Sequence, residues 1–369
     1  MEGIMKSAIF YGIGDVRIEE RPIPKIGKKD VLVKILRAGI CGSDTAAYLK
    51  GGEATGIFPG HPFGHEMVGK IVEKGEDVDS VIEIGQKVFI EPSRATKAGM
   101  ILTDMLGGFG EYVKVEDAKI DENLFVLDES MDLDQAVLIE PIAVGTKAAV
   151  CMEPKVDDHV VILGAGTIGL SSGAALIARG LENVVIVDQN EFRLEKARQI
   201  GLKTINTAKV DMNEKLIEYF GEYRDHASNM EYVEPELMKQ FIDFCIKAGM
   251  DLAGKKPNVD LYIDAAGAFP LLDDCFNHCK HGAKFSIVAV YGRQLEFAGG
   301  NFIKNEPIIR GSQAYDIEIL QEVIHNVIPK TNIGVIMTKK FKHADFVEAI
   351  ETASTGDTNI KVVIDYELD

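Results

Sequence analysis

The sequence predicts a two-domain α/β protein, with a strand-rich domain first and a doubly wound parallel sheet after it. Two observations lead to this prediction. Short strand-like runs, closely punctuated by Gly, Pro and Asp, fill the chain up to about residue 144, whereas strands alternate with helices from about residue 145. The length of 369 residues is sufficient for two domains with substantial buried cores.

The individual elements follow from hydrophobic periodicity. Strands are predicted at 31–35, 67–72, 87–90, 160–164, 183–188, 259–265, 284–290 and 360–364, and helices at 167–180 and 191–200. The final strand is expected to return to the first domain, so that the second domain is inserted into the first. The predicted domains are therefore 1–144 and 145–294, with the return to the first domain over 295–369.

A segment at 211–258 is longer than a doubly wound unit needs between two strands. It contains two amphipathic helical patterns, 212–223 and 235–253, separated by the polar linker 224–229. A helical surface excursion is the favoured interpretation. A lid or a subunit contact near the cleft of the doubly wound domain is the alternative.

Composition excludes several classes of function. The formal net charge of −18 argues against nucleic-acid and anionic-membrane partners, because phosphate binding needs clustered Lys and Arg. Residues 160–178 are uncharged, but their glycines fit a strand, a turn and a helix better than a membrane span. With no apolar signal core at residues 1–7 and five cysteines, an odd number, reduced thiols in the cytoplasm are expected.

The run VVILGAGTIG at 160–169 is the fingerprint of a dinucleotide site. An apolar strand leads into a turn in which Gly164 permits the bend and Gly166 lets the backbone approach the pyrophosphate. Gly169 then allows the helix to pack closely on the strand. The helix N-terminus supplies unpaired N–H groups, so an acidic protein can still bind an anionic cofactor.

Asp188 is expected to select NAD over NADP. It closes the next strand, 22 residues after Gly166, where an acid accepts hydrogen bonds from the adenosine ribose. A carboxylate at this place repels a 2′-phosphate. Arg193, five residues later, covers the adenine or approaches a 2′-phosphate, so use of both cofactors remains the alternative.

Four residues have the chemistry of a zinc site with an open coordination position. They are a thiolate, Cys41, an imidazole, His65, and two carboxylates, Glu66 and Glu140. The thiolate and the imidazole hold a metal firmly, while carboxylates bind and release it more readily. A Lewis-acid metal beside a nicotinamide cofactor indicates hydride transfer to or from a carbon that bears oxygen.

These motifs together resemble the zinc-dependent medium-chain dehydrogenases, in their polyol (sorbitol-type) and threonine dehydrogenase branch. The resemblance covers nearly the whole chain. It rests on GICGSD at 39–44, GHE at 64–66, GGFGEY at 107–112, IEPIAVG at 139–145, the glycine fingerprint and IDAAG at 263–267. It implies a GroES-like catalytic domain followed by a Rossmann domain.

The resemblance also implies a role for each matching residue. Cys41 and His65 would be zinc ligands and Glu66 a third, while Glu140 would bind zinc or hold a zinc-bound water. Ser43 would take the alcohol proton, and Asp44 would orient the ligand histidine. Contacts to the cofactor are expected from Gly164, Gly166, Thr167, Ile168, Gly169, Asp188, Arg193, Ala266 and Val288.

The chain departs from this family pattern at two places. Many relatives carry four cysteines in a lobe that binds a second, structural zinc, but residues 93–106 contain none. One catalytic zinc and no structural zinc are therefore expected. Relatives often place a histidine three residues after Ser43 as a proton carrier, whereas this chain has Ala46. The proton must then leave through the ribose hydroxyls, water or another group.

The predicted function is NAD-dependent, zinc-containing interconversion of a secondary alcohol and a ketone by a homodimer or homotetramer. The favoured substrate is a polyol. The missing histidine and the segment 211–258 leave room for an amino alcohol, as in threonine dehydrogenases, or a bulky ring alcohol such as a hydroxysteroid. Two other classes stay open: a zinc-free reductase of the same fold, and an NADH-binding protein without turnover.

Overall fold

The computed structural model describes residues 1–224, 234–247, 255–356 and 358–368. The chain forms two compact units: unit 1 is Met1–Ala143, Asp316–Pro329 and Ile333–Asp369, and unit 2 is Val144–Tyr315 and Lys330–Asn332. The first predicted boundary, after residue 144, lies one residue from the observed one. The predicted α/β class, with a strand-rich part followed by a parallel sheet, is confirmed.

The secondary structure follows in chain order. The strands are β1 (Ile4–Gly12), β2 (Asp15–Pro22), β3 (Val31–Gly39), β4 (His61–Pro62), β5 (Glu66–Lys74), β6 (Lys87–Ile90), β7 (Tyr112–Val115), β8 (Leu124–Val126), β9 (Val160–Leu163), β10 (Val184–Asp188), β11 (Lys203–Asn206), β12 (Glu222–Tyr223), β13 (Lys256–Pro257), β14 (Leu261–Asp264), β15 (Lys284–Ile287), β16 (Ile308–Gly311), β17 (Met337–Phe341) and β18 (Lys361–Asp365). The helices are α1 (Gly42–Lys50), α2 (Gly99–Leu102), α3 (Leu133–Ala136), α4 (Ile139–Val150), α5 (Thr167–Ala178), α6 (Glu191–Ile200), α7 (Met212–Phe220), α8 (Pro235–Lys247), α9 (Phe269–His278), α10 (Gly299–Asn305), α11 (Ile317–Glu322), α12 (Ile328–Lys330) and α13 (Phe346–Thr355).

Strand β3 is the centre of the main sheet of unit 1. The sheet runs in the order β17-β18-β3-β5-β6-β8, and β7 also pairs with β3. On one side β3 pairs antiparallel with β5, and on the other with β7 near its start and with β18 near its end. The late strand β18 therefore lies beside the first long strands, as the sequence predicts. A smaller sheet of β2, β1 and β4 completes the strand-rich unit.

Aromatic side chains fill the interior of unit 1. The ring of Phe63 makes edge contacts with those of Phe10, Phe109 and Phe346, at centroid separations of 6.2, 5.0 and 5.7 Å. All four rings are buried in one apolar cluster with the inward residues of β3 and β5. This cluster fixes the chain just before His65, because Phe63 is two residues from it in sequence.

The sheet of unit 2 is fully parallel, in the order β11-β10-β9-β14-β15-β16. This is the strand order of a dinucleotide-binding fold, with its switch point between β9 and β14. Residues 160–178 form β9, a turn and α5, as predicted. Among the described residues, no helix combines the length and the apolarity that crossing a bilayer requires.

The sequence places the second boundary after residue 294, whereas the long segment of unit 2 extends to Tyr315. Helix α10 and strand β16 belong to unit 2, since β16 pairs in parallel with β15. The sequence between 295 and 315 reads as mixed short elements, because β16 is an edge strand with four exposed residues and lacks the apolar run of a buried strand.

The described part of the predicted excursion at 211–258 contains α7, the short strands β12 and β13, and α8. Helix α7 packs on the core through Met212, Leu216 and Phe220. Strands β12 and β13 then pair antiparallel, Glu222 with Pro257 and Tyr223 with Lys256. The amphipathic helix predicted from 235 is α8, whereas residues 248–253 of that prediction and 225–229 of the predicted linker lie outside the described residues.

Arg37 links three elements of unit 1. From β3 its Nη1 lies 2.6 Å from Asp365 Oδ1 on β18, and its Nε donates to Asp134 Oδ1 on α3 at 3.1 Å. Both Arg37 and Asp365 are buried. Lys340 also lies 3.5 Å from Asp365, but loss of Arg37 would still remove the shorter ion pair of this buried carboxylate, which costs more than breaking an exposed pair.

We therefore expect Arg37→Met to lower the free energy of unfolding by roughly 3 kcal/mol. The matched control is Arg17→Met, which breaks an exposed pair with Asp15 and should cost less than about 1 kcal/mol. Urea denaturation of each variant measures the free energy of unfolding. Equal losses in the two variants would contradict the structural role given to Arg37.

Candidate metal and cofactor sites

The pairing of β3 with β5 brings the predicted metal ligands together. Gly39, at the end of β3, is the register partner of Glu66, the first residue of β5. Cys41 follows as the N-cap of α1, and His65 precedes β5 directly. One ligand atom each from Cys41, His65 and Glu66 lie within 4.8 Å of one another. Small side-chain movements would let one ion with bonds of about 2.0–2.3 Å reach all three.

Glu140, the fourth predicted ligand, lies near this set but is not part of it. It is the second residue of α4 and is buried. Burial raises the pKa of Glu140 to about 7, even though the nearby His65 lowers it. The neighbouring carboxylate of Glu66 also raises it. A nearby cation would stabilise a buried carboxylate in such acidic surroundings.

The donor set fits a cation. Burial raises the pKa of the Cys41 thiol, with a further contribution from Glu66, and burial raises the pKa of Asp44 to about 7. The buried Oδ1 atom of Asp44 has no hydrogen-bond partner. Acidic groups gathered in a desolvated place are stabilised by a bound cation. Sulfur, nitrogen and carboxylate donors together suit zinc.

The structure gives Asp44 a different contact from the predicted one. Its Oδ2 accepts the N–H of Cys41 at 2.8 Å, in the first turn of α1. The group beside the candidate ligand His65 is Asp104, whose Oδ1 lies 2.6 Å from His65 Nδ1. Asp44 therefore supports the ligand cysteine through its backbone, and Asp104 lies beside the imidazole.

Asp104 is a site residue that the sequence did not reveal. It lies in a short 3₁₀ turn inside the cysteine-free segment 93–106. Ser43 Oγ donates to Asp104 Oδ1 at 3.1 Å, and the backbone carbonyl of Asp104 accepts the N–H of Gly64 at 2.9 Å. One residue thus joins Ser43, His65 and the turn before His65. A lone aspartate outside any motif gives no signal for this role.

Lys361 is the second residue that the sequence did not reveal. It lies on β18, fully surrounded by protein, and its Nζ donates to both carboxylate oxygens of Glu66. Although burial opposes it, the Glu66 carboxylate raises the pKa of Lys361, so this lysine is charged. A lysine next to the consecutive apolar residues Val362, Val363 and Ile364 is a possible signal, because a buried charge requires a partner.

The glycine turn of unit 2 has the geometry of a phosphate cradle. Gly164 has a φ of +96°, and a Cβ there would lie 3.0 Å from Ala266, which follows β14. A Cβ on Gly169 would meet the carbonyl oxygen of Gly164 at 1.9 Å, so helix α5 packs against the turn. Gly166, the N-cap of α5, has open space where its Cβ would stand.

The other predicted cofactor contacts surround this turn. Thr167 and Ile168 are the first residues of α5, where backbone N–H groups point toward a ligand. Asp188 ends β10, and its carboxylate accepts the N–H groups of Ala165 and Asn190, both at 2.8 Å. Arg193 Nη1 lies 4.0 Å from Asp188 Oδ2.

Asp264 shapes the neighbouring loop at the end of β14. It is buried, its Oδ1 accepts the N–H groups of Ala266 and Gly267, and its Oδ2 accepts the hydroxyl of Tyr291 at 2.5 Å. Val288, another predicted contact, donates its N–H to the Asp264 carbonyl. Asp264 therefore sets the backbone on the side of the turn opposite to Asp188.

Comparisons with known proteins agree with this arrangement. The family described as "Alcohol dehydrogenase GroES-like domain" matches residues 27–122, and "Zinc-binding dehydrogenase" matches 167–329. Sorbitol dehydrogenase of Bacillus subtilis is 31% identical over 215 residues, which are 53% of this chain and 59% of that protein. L-threonine 3-dehydrogenase of Streptomyces avermitilis is 26% identical, with 94% of this chain and 95% of that protein covered.

Solved structures share the fold. The crystal structure of 2R,3R-butanediol dehydrogenase from Bacillus subtilis superposes with a TM-score of 0.76 at 23% identity, over 98% of this chain and 99% of the other. The match to sorbitol dehydrogenase spans less than two thirds of that protein, whereas the match to threonine dehydrogenase is nearly complete.

The two family matches follow one another along the chain in the order of the two predicted domains. The resemblance inferred from the sequence motifs is thereby confirmed, and so is the class of protein it implies. The chain belongs to the medium-chain dehydrogenase/reductase family.

Proposed function

We propose that this protein is a zinc-dependent oxidoreductase that transfers a hydride between NAD(H) and a secondary alcohol or its ketone. The observation that carries the proposal is the convergence of Cys41, His65 and Glu66 within 4.8 Å of one another. The two residues at the ends of β3 and β5 that hold this geometry, Gly39 and Glu66, are register partners. Relatives that oxidise polyols and amino alcohols support the same reaction class.

Each ligand has a distinct role in this proposal. Cys41 and His65 hold the ion, Glu66 is a third and weaker ligand, and Glu140 binds the ion or orients its water. A bound zinc supplies Lewis acidity, which lowers the pKa of an alcohol hydroxyl by several units. One zinc per chain is proposed, because the segment 93–106 offers no cysteine for a second.

Ser43 is the proposed acceptor for the proton of the alcohol. Its hydroxyl donates to Asp104, so its oxygen lone pairs remain available for a hydrogen bond from the substrate. Ala46 has no polar atom beyond its backbone and cannot continue a proton path. Asp104 is partly exposed and is the hydrogen-bonding group that follows Ser43 in this structure. It replaces the histidine of many relatives as the neighbour of the serine.

The cofactor is proposed to be NAD, which supplies the hydride acceptor when bound. The first turn of α5 would bind its pyrophosphate, and Asp188 would accept hydrogen bonds from the adenosine ribose. Each oxygen of Asp188 has a lone pair left after accepting one backbone N–H. Arg193, 4.0 Å from this carboxylate, is partly neutralised by it and is therefore a poorer receptor for a 2′-phosphate.

A cavity of about 660 Å³ in unit 1 is the proposed substrate region. Ala46 lies on its wall, one helical turn after Ser43, together with Ile57 and Phe58. Lys50 and Glu53 also line it and could bind hydroxyl groups. The volume suits a small-molecule alcohol, and a polyol is the favoured substrate.

Two further expectations from the sequence remain proposals. A cytoplasmic location is supported by the five cysteines, all of which are free thiols. A homodimer or homotetramer is proposed for the assembly. Size-exclusion chromatography with light scattering would measure its mass directly.

We expect about one zinc ion per chain, and we expect Cys41→Ala to lose both zinc and turnover while NADH binding persists. The reason is that Cys41 belongs to unit 1, whereas the glycine turn belongs to unit 2. Metal analysis, NADH titration and an NAD-linked screen over polyols, diols, amino alcohols and ring alcohols provide the measurements. Cys151→Ala, a free thiol of unit 2, is the control.

Each rival function has its own outcome in these assays. A wild-type protein that reduces ketones without metal would be a zinc-free reductase. One that binds NADH but turns over no alcohol or ketone would be a binding protein without catalysis. Two tightly held ions per chain would contradict the single site.

Substitutions of Gly166 and Gly169 should separate an effect on cofactor binding from an effect on folding. Gly166→Ala adds a methyl group into open space with φ at −80°, so the thermal midpoint should stay unchanged while NADH binding weakens. Gly169→Ala places a Cβ 1.9 Å from the carbonyl of Gly164, so the midpoint should fall by several degrees. Calorimetry and NADH fluorescence distinguish the two effects. Unchanged NADH affinity in Gly166→Ala would exclude the turn as the pyrophosphate site.

Asp188→Ala should reduce the preference for NAD over NADP by at least about tenfold, because it removes both a ribose acceptor and a repulsive charge. The ratio of kcat/KM for the two cofactors measures it. Glu182→Ala, an exposed acid shortly before β10, serves as the control. A wild-type enzyme that already favours NADP would overturn the assignment.

A further inference from the structure

Within the described part of the chain, the side chain of Lys361 makes its polar contacts only with the metal-binding region. Its Nζ donates to Glu66 Oε1 at 2.8 Å, to Glu66 Oε2 at 2.6 Å and to the carbonyl of Ile40 at 3.1 Å. The side chain is 3% exposed and that of Glu66 is fully buried. An ammonium group has three N–H bonds, so these contacts use all of them. Lys361 therefore has a fixed position.

The strand arrangement directs Lys361 to Glu66. Strand β3 lies between β5, which carries Glu66, and β18, which carries Lys361. Gly39 on β3 pairs with Glu66 on one side and with Val363 on the other. A Cβ on Gly39 would lie 2.3 Å from Glu66 Oε2. Because Gly39 has no side chain, there is space beside it for the Glu66 carboxylate to contact Lys361, whose side chain reaches across β3.

Glu66 consequently has two competing partners. One of its oxygens belongs to the set of donor atoms shared with Cys41 and His65. Both of its oxygens also accept hydrogen bonds from Lys361. Electron density that is shared with a cationic donor is less available to a metal, so Glu66 is a weaker ligand than a free carboxylate would be.

The charges of the site lead to the same conclusion. The Cys41 thiolate, Glu66 and Glu140 would place three negative charges around a dication. Lys361 places one positive charge directly against Glu66 and offsets one of these negative charges. Without Lys361 the group would carry an excess negative charge in a desolvated place, and the unpaired carboxylate of Glu66 would bind the ion more strongly.

We propose that Lys361 is a positioning residue that holds Glu66 back from the metal, so that the coordination position needed by the substrate stays accessible. This inference rests on the zinc site of the proposed function. Lys361 contacts neither substrate nor cofactor in this role. It acts through Glu66, by keeping the bond between that carboxylate and the ion weak.

Four variants test the proposal by metal binding and spectroscopy. In Lys361→Met, zinc transfer to a chelator should slow by at least about tenfold, because Glu66 is released to coordinate. The visible absorption of the cobalt(II)-substituted protein should shift as the ligand set changes. Lys361→Arg keeps the cation and should restore both values to near those of the wild type.

The partner substitution makes the test independent of any folding defect in Lys361→Met. Glu66→Gln can still accept a hydrogen bond from Lys361 and should change zinc release by less than about threefold, since Glu66 is already a weak ligand. In the double variant Lys361→Met/Glu66→Gln, the slow release and the cobalt shift should disappear. Glu66→Gln and the double variant both lack the excess negative charge expected of Lys361→Met alone.

Contrary results have separate meanings. If Lys361→Met releases zinc at the wild-type rate with an unchanged cobalt spectrum, the positioning role is wrong. If Glu66→Gln alone loses zinc as strongly as Cys41→Ala, Glu66 is a full ligand and the proposal also fails. If the wild-type protein binds no zinc at all, the proposed function itself fails, which metal analysis shows before any variant is made.

Discussion

The antiparallel pairing of β3 with its two neighbours is the constraint on which the metal site depends. It places the end of β3, which leads to Cys41, beside the start of β5, which carries Glu66. It also brings Lys361, near the C-terminus, to the same place. Because the register of a sheet fixes every side chain on it, a shift of one residue would turn Glu66 to the opposite face. The site is therefore a property of the sheet rather than of any single loop.

Motifs with local chemistry were predictable from the sequence. The strand, glycine turn and helix at 160–178 carry their own periodicity, and the structure has them with nearly the predicted bounds. The cysteine and the His–Glu pair were recognisable because their residue types are characteristic of metal ligands. The order of the two domains followed from the change near residue 145, where closely spaced strands give way to alternating strands and helices.

Contacts between distant parts of the chain were not predictable in the same way. Asp104 and Lys361 reach the site through tertiary packing, 61 residues from Ser43 in one case and 295 residues from Glu66 in the other. Neither belongs to a spaced motif. The same reason explains the second domain boundary, since β16 is defined by its pairing with β15 and not by its own hydrophobicity.

The pairing of β12 with β13 has a consequence for how this chain could diversify. Tyr223 and Lys256 are register partners, so the chain between them begins and ends at neighbouring positions of unit 2. A segment anchored in this way can be exchanged, shortened or lengthened with little loop-closure cost to the parallel sheet. A different binding segment could therefore be inserted between β12 and β13 without changing the residues of the candidate metal and cofactor sites.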